Sequence, residues 1–414
     1  MSNASPPMRS ALGIDGVSEQ RLFSTSWIVG PRTDLLCFIG AAGLGYLMFF
    51  LHAGLALDMI TVWLVWYMFL DAPHFFGTYS RTYFDREEMR NRRVLLLGSL
   101  AFPLIGPTIL FLSYLLFASG VGWYKAPFLF LTAFVSLWAY WHVVRQHYGI
   151  MSLYNRKNEA DVSLLDRRLD QFVLYVGLLA PLLAFALRNE EARLVLGFSQ
   201  ATETGALTSP YVAAGWPALL VNLSFALAVA ALGLGVGRQA QRYLTGRTVN
   251  VPKLLFFLAL IPLHMTVCFH PAASTLALLG FSACVTIFHD VQYHAIVWYY
   301  QKNRLARAGE DAPARLGWAA RFGQSFPTYM VFAIGMGLFL GLAGCLLDIT
   351  PGCIPVFASR EVSVFGRVSL NEILFSVVLG VLMHHYFVDQ FIWRPSRDKG
   401  MREDLRLQKS NRGS

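Results

Sequence analysis

Long apolar segments alternate with short polar ones along most of the chain, and many reach the roughly 20 residues that a helix needs to cross a bilayer. This pattern predicts an all-α, polytopic transmembrane helical bundle of ten spans over residues 34–393. A polar segment, 1–33, precedes the bundle, and a basic tail, 394–414, follows it. The predicted spans are about 34–53, 58–80, 94–117, 126–151, 171–187, 211–236, 254–270, 273–300, 325–347 and 369–393.

The composition agrees with a membrane protein and excludes several other classes. Hydrophobic residues make up 55% of the 414-residue chain and charged residues only 14%, whereas soluble domains carry about 25% charged residues. The mean hydropathy of +0.48 also argues against disorder and against a coiled coil. Residues 1–32 lack an apolar core, so no cleavable signal peptide is expected. The five cysteines have no paired spacing, so we expect no disulfide or zinc framework.

The positive charges predict the orientation of the bundle. If the N-terminus is inside, 28 of the 34 Lys and Arg residues lie on inner segments and only 5 on outer ones. Because Lys and Arg concentrate in cytoplasmic loops, both termini are expected in the cytoplasm, most simply in the inner membrane of a bacterium. Topology and contact with anionic lipid explain the net charge of +9, so no nucleic-acid partner is expected. The oligomeric state stays open.

Seven of the ten histidines fall at a similar depth on four different predicted spans. Since polar groups inside a bilayer usually face the protein interior, these imidazoles are expected to converge, and convergent imidazoles suit Fe, Zn, Cu or Ni. The sequence therefore predicts a buried metal site. The seven are His74 on the second span, His142 and His147 on the fourth, His289 and His294 on the eighth, and His384 and His385 on the tenth. The other three, His52, His264 and His270, are predicted to lie toward the outer face.

Three aspartates accompany these histidines at helical spacing, and three or four residues place two side chains on one helix face. Such a carboxylate can accept the second N–H of an imidazole and fix the orientation of the ring. The pairs are Asp71 with His74, Asp290 with His294, and Asp389 with His385.

One cation, Arg145, lies within the fourth span between two of the histidines. It could pair with one of the aspartates, or its long side chain could reach the inner headgroups. Its position within the cluster favours pairing.

Four segments, in order, resemble the Brp/Blh family of membrane β-carotene-cleaving oxygenases. They read Ala-Pro-His-Phe-Phe-Gly (72–77), Gln-His-Tyr-Gly (146–149), Ile-Phe-His-Asp-Val-Gln-Tyr-His-Ala-Ile-Val-Trp (287–298) and His-His-Tyr-Phe-Val-Asp-Gln-Phe-Ile-Trp-Arg-Pro (384–395). Together they cover about 45 residues by these ranges. The acid that closes the family's second motif is absent here, and the family's histidine pair is spaced four apart instead of five.

The resemblance implies a non-haem Fe(II) oxygenase that acts with O2 on a lipid-soluble polyene entering from the bilayer. It implies iron held by His74, His147, His289 and His294, with His384 or His385 nearby and Asp71, Asp290 and Asp389 orienting the rings. Counting from Asp389 selects His384, whereas counting from Arg394 selects His385.

The five-residue spacing of His289 and His294 conflicts with a shared metal on a regular helix. Five residues turn a helix by about 500°, which leaves the two side chains roughly 140° apart. Both could bind one ion only if a π-bulge lies between them; otherwise one is not a ligand. The same geometry applies to His142 and His147, where the resemblance selects His147.

Two functions of other classes remain possible from the sequence. A membrane b-type cytochrome would bind haem through two histidines on facing helices. A transporter would use the His, Asp and Arg residues as a proton or ion relay, although the chain shows no internal repeat of the kind common in transporters.

Overall fold

A computed structural model of the chain describes residues 22–158, 162–196, 215–346, 363–364 and 368–407. Ten long helices dominate these residues, and each corresponds to one predicted span. They are α1 (Pro31–Ala53), α2 (Met59–Arg81), α3 (Arg93–Ala118), α4 (Ala126–Asn158), α5 (Leu164–Arg188), α6 (Trp216–Leu244), α7 (Val251–Phe269), α8 (Leu278–Ala308), α9 (Phe326–Leu346) and α10 (Leu370–Ile392).

All of these helices except α8 are long and apolar enough to cross a membrane by length and composition. α8 has 31 residues, but it carries many polar side chains and is buried along much of its length. The predicted fold class, an all-α polytopic bundle, is therefore confirmed.

The shorter elements are confined to the ends and connections of these helices. Short helices are Arg86–Asn91, Glu190–Val195, Ala312–Leu316, Ala319–Phe322 and Lys399–Asp404, with 3-10 turns at Pro271–Ser274 and Gly309–Asp311. Strand Phe23–Ser24 pairs in parallel with Val249–Asn250, and Ser363–Val364 pairs antiparallel with Val368–Ser369.

Helix packing places α8 at the centre of the bundle, where it contacts α1, α2, α4 and α7. Around it, α9 packs on α2, α6 on α5, and α10 on α3. Small residues allow the last pair to approach closely, as in many membrane helix pairs. A Cβ atom on Gly106 of α3 would overlap the backbone carbonyl of Ser376 on α10.

Segments that were predicted to be inner meet at one end of the bundle. Arg304, near the end of α8, lies 2.9 Å from the carboxylate of Asp85, which follows α2. Arg307 binds Asp404 of the tail at 2.7 Å. Ser24 of the N-terminal segment donates to Asn158 at the end of α4, at 2.6 Å.

Connections that were predicted to be outer also contact one another. A ring nitrogen of His52, near the end of α1, lies 3.1 Å from the carbonyl of Ala272. Asn189, after α5, donates to the carbonyl of Ala273 at 2.8 Å. The alternation of spans inferred from the sequence is consistent with these contacts.

A π-helical segment, Tyr67–Asp71, interrupts α2 just before the first histidine of the predicted site. Pro73 follows it and has no N–H to donate, so the regular hydrogen-bond ladder cannot continue through this turn. π-segments of this kind are frequent at functional sites. A second π-segment, Asp34–Ile39, lies in α1.

Several sequence predictions need qualification. The expectation of no disulfide is wrong, because Cys345 is disulfide-bonded; sequence spacing alone does not show which thiols meet in space. The fourth helix continues to Asn158, beyond the predicted end at 151. Residues 1–21 of the N-terminal segment, 211–214 of the sixth predicted span and 408–414 of the tail lie outside the described residues.

Candidate metal centre

Four histidine rings, one from each of four helices, form a closed ring of contacts in the bundle core. We call His74 (α2), His142 (α4), His289 (α8) and His385 (α10) the quartet. Ring centroids are 5.3 Å apart for His74 and His289, 5.1 Å for His289 and His142, 5.0 Å for His142 and His385, and 4.7 Å for His385 and His74. All four side chains are buried. The four helices that the sequence selected therefore do converge.

Two of these rings point their Nε2 atoms at each other across 2.9 Å. The Nδ1 atom of His74 contacts the carbonyl oxygen of Asp71, which can only accept, so Nδ1 carries the proton of the neutral ring. The Nε2 atom of His74 therefore presents a lone pair to His385.

The same reasoning fixes the tautomer of His385. Its Nδ1 lies 2.9 Å from the hydroxyl of Thr78, which donates its proton to the Asp389 carboxylate at 2.8 Å. The hydroxyl can then only accept from His385, so the His385 Nε2 is also unprotonated. Two lone pairs at 2.9 Å repel each other unless a cation lies between them.

The other two members of the quartet also have nitrogens without partners. The Nε2 of His142 and the Nδ1 of His289 are buried and lack a hydrogen-bond partner among the described residues. Buried donors and acceptors are rarely left unpaired, since each costs about 1–3 kcal/mol. All four rings thus present nitrogen atoms that would suit a bound ion.

Asp389 flanks the quartet on the α4 and α10 side. One of its oxygens accepts from Thr78 and, at 3.0 Å, from the hydroxyl of Tyr293. The other lies 3.9 Å from the His142 Nε2 and 4.0 Å from the His385 Nε2, and has no hydrogen-bond partner among the described residues. With those two histidines it forms a trio whose possible ligand atoms lie within 4.8 Å of one another.

Asp290 occupies the corresponding place on the α2 and α8 side. One oxygen accepts from the indole N–H of Trp66 at 2.9 Å, and the other lies 3.4 Å from the Nδ1 of His74. With His74 and His289 it forms a second trio of the same compactness. Asp71 is 3.6 Å from the same Nδ1, and it also supplies the carbonyl that orients the ring.

Aromatic rings close around the quartet and separate it from polar surroundings. Phe75 packs on His385 with centroids 4.4 Å apart, and Tyr386 packs on His142 at 4.9 Å. Both aromatic side chains are buried. The site is therefore a polar centre inside an apolar, aromatic shell.

Comparison with known proteins adds nothing to this geometry. No protein-family model, curated protein or solved structure matches the chain.

The structure selects one histidine from each predicted pair. α8 is a regular α-helix from 278 to 308, so His289 and His294 face different directions. The Nδ1 of His294 lies 3.0 Å from the hydroxyl of Tyr329. The helical irregularity that a shared ligand role required in α8 is found instead in α2, before His74.

In the last helix, the count from Arg394 selects the residue in the quartet, His385. The neighbouring His384 points elsewhere, because its Nε2 lies 2.8 Å from the hydroxyl of Tyr83 and its ring stacks on Tyr79.

In α4 the sequence favoured His147, but His142 is the quartet member. His147 lies one and a half turns further along, and its ring centroid is 6.5 Å from that of His289. The five-residue spacing shows that only one of the pair can face a given point. It does not show which, and only the resemblance favoured His147.

Two placements from the sequence are wrong. Arg145 does not pair with an aspartate among the described residues: its exposed guanidinium binds the Tyr175 hydroxyl and lies over the ring of Tyr148. His264 does not lie apart from the inner histidines, since its ring is 6.3 Å from that of His147.

Proposed function

We propose that the protein is an integral-membrane, non-haem iron oxygenase that acts with O2 on a lipid-soluble substrate. The observation that supports this most is the contact of two imidazole lone pairs at 2.9 Å within a buried quartet. Two nitrogens that bind one ion at right angles, with bonds of about 2.0–2.1 Å, are about 2.9 Å apart.

The residues present fit an iron ion. Imidazole suits Fe as well as Zn, Cu and Ni, and His74, His142, His289 and His385 would hold the ion. Asp71 and Thr78 would hold the rings of His74 and His385 through their second nitrogens, as outer partners of metal-bound histidines commonly do. When bound, ferrous iron would supply the oxidation chemistry with O2.

The surroundings of the quartet favour an apolar substrate over a water-soluble one. The polar centre lies within helices of membrane-spanning length, and Phe75 and Tyr386 pack directly on its rings. The resemblance to the Brp/Blh family supports a polyene such as a carotenoid. It names the first substrates to test.

The orientation that we propose places both termini in the cytoplasm. The distribution of Lys and Arg supports it, and so does the disulfide at Cys345. This residue is near the end of α9, which faces outward in this orientation, and disulfides persist in oxidising compartments such as the bacterial periplasm.

Metal analysis and absorbance of the detergent-purified protein, followed by a substrate assay, test the proposal. We expect iron without a Soret band, O2 consumption with a carotenoid in the presence of Fe(II), and shortened aldehydes by mass spectrometry. A Soret band would indicate a b-type cytochrome instead. Substrate-independent ion flux in vesicles, with no bound metal, would indicate a transporter. Iron without cleavage of any polyene would refute the carotenoid assignment.

A matched pair of variants on α10 tests the quartet itself. His385→Gln should lose most of the iron, because it removes one of the two nitrogens in the 2.9 Å contact. His384→Gln, the adjacent residue, should retain the iron, because His384 contacts Tyr83 instead. Equal iron in both variants would contradict the assignment of the quartet.

A further inference from the structure

Two more buried histidines face each other beside the quartet. His147 of α4 and His264 of α7 have ring centroids 6.3 Å apart and planes at 87°. Both side chains have no exposed surface. They are linked to the quartet through His289, whose centroid is 6.5 Å from that of His147.

The surroundings of His147 fix its tautomer. Its Nδ1 lies 3.0 Å from the Oε1 of Gln292. The amide of Gln292 is held in that orientation because its nitrogen donates to the carbonyl of Phe38 at 3.1 Å. Nδ1 of His147 is therefore the donor, and its Nε2 carries a lone pair.

His264 is held in the same way by a different residue. Its Nδ1 lies 2.8 Å from the hydroxyl of Tyr140, and this hydroxyl donates to the carbonyl of Leu178 at 2.9 Å. The tyrosine oxygen can then only accept from the imidazole, so the Nε2 of His264 also carries a lone pair.

Neither Nε2 has a hydrogen-bond partner among the described residues. The two rings are thus prepared, by separate hydrogen-bond chains, to present lone pairs in a buried place. Two imidazoles on opposite sides of one ion have ring centres about 6.4 Å apart, from nitrogen–metal bonds of about 2.0–2.1 Å. The observed 6.3 Å is close to this value.

We propose that His147 and His264 bind a second divalent transition-metal ion next to the quartet. Gln292 and Tyr140 act as positioning residues that hold the two tautomers. The proposal rests on the proposed function in taking the quartet as the first iron position. It goes beyond that function by assigning two metal ions to each chain.

Iron titration of the full-length protein tests the proposal. Purified protein is stripped with a chelator and reloaded with Fe(II) under anaerobic conditions, and iron per chain is measured by mass spectrometry. We expect two ions in the wild type and one in each of the variants His147→Gln and His264→Gln. His52→Gln, a histidine variant at the other end of the bundle, should keep two.

The variant Tyr140→Phe provides a milder test that leaves the imidazole in place. It removes only the hydroxyl that orients His264, and a loss of this kind typically costs about 10–100-fold in metal affinity. We therefore expect the second ion, but not the first, to be removed at lower chelator concentration. Elution of each variant as a single folded species in detergent separates these effects from misfolding.

The outcomes distinguish this proposal from the proposed function. One iron per wild-type chain would overturn the second site and show that a water serves the two lone pairs, while the oxygenase proposal would stand. Two ions retained in His264→Gln would also overturn it. No iron in the wild type would overturn both proposals. Two ions without oxygenation of any lipid would leave the second site standing and refute the function.

Discussion

Thr78 links three groups of the candidate site through one hydroxyl, so its removal gives a sensitive test of the geometry. Within 2.9 Å, this hydroxyl meets the Nδ1 of His385, the carboxylate of Asp389 and the hydroxyl of Tyr293. Valine has nearly the same shape but cannot hydrogen-bond. The change Thr78→Val therefore removes the chemistry of the side chain while filling its place.

The magnitude follows from the bonds that are lost. In Thr78→Val, the N–H of His385 loses its acceptor in a buried site, and an unsatisfied buried group costs about 1–3 kcal/mol. Asp389 keeps one donor, the hydroxyl of Tyr293 at 3.0 Å. The ring of His385 is no longer held with its Nε2 toward His74. We expect iron affinity to fall about 10–100-fold, equivalent to roughly 1.4–2.7 kcal/mol.

The assay is competition for Fe(II) between the purified protein and a chelator of known affinity. Thr78→Ser restores the hydroxyl and should recover most of the affinity. Thr82→Val is the control, because Thr82 is also buried and its hydroxyl bonds only to a backbone carbonyl of the same helix. Wild-type affinity in Thr78→Val, or an equal loss in Thr82→Val, would refute the assigned role.

Two further predictions concern the second carboxylate and the helix packing. Trp66→Phe removes the N–H that Asp290 accepts and should weaken iron binding about 10-fold by chelator competition; Trp63→Phe, one turn earlier, should not, and a similar effect of both changes would contradict this role. Gly106→Ala should lower the melting temperature in detergent, because overpacking costs about 1–3 kcal/mol. Gly98→Ala has open space around its Cβ and should leave stability unchanged or raise it, so equal effects of the two changes would refute the packing argument.

The sequence predicted the ten helices and the four that carry the site, because both depend on features that are local along the chain. Hydrophobic length gives the spans, and the depth of each histidine within its span gives the level of the cluster. The choice between His142 and His147 was not accessible in this way, since it depends on how far each helix is rotated about its own axis. Packing against neighbouring helices sets that rotation.

The wrong placement of His264 has a physical cause in the helix ends. The predicted fourth span stopped at 151, which put His147 near the inner surface, whereas α4 continues to Asn158. Seven additional residues add about 10 Å of helix. His147 lies eleven residues before the end of α4, and His264 lies thirteen after the start of α7. The two residues are therefore at a similar depth.

The polarity of α8 has a consequence for how the chain enters the bilayer during synthesis. A charged residue at the centre of an inserting helix costs about 2.5–3.5 kcal/mol, and α8 carries Asp290 among its buried residues. We infer that α8 leaves the translocon paired with α7, to which only residues 270–277 join it. In a glycosylation-mapping assay, α8 alone should insert poorly and the α7–α8 hairpin efficiently; equal insertion would contradict this inference. The partner of Asp290, Trp66 on α2, is already in the membrane when α8 is made, so early helices can receive the polar one.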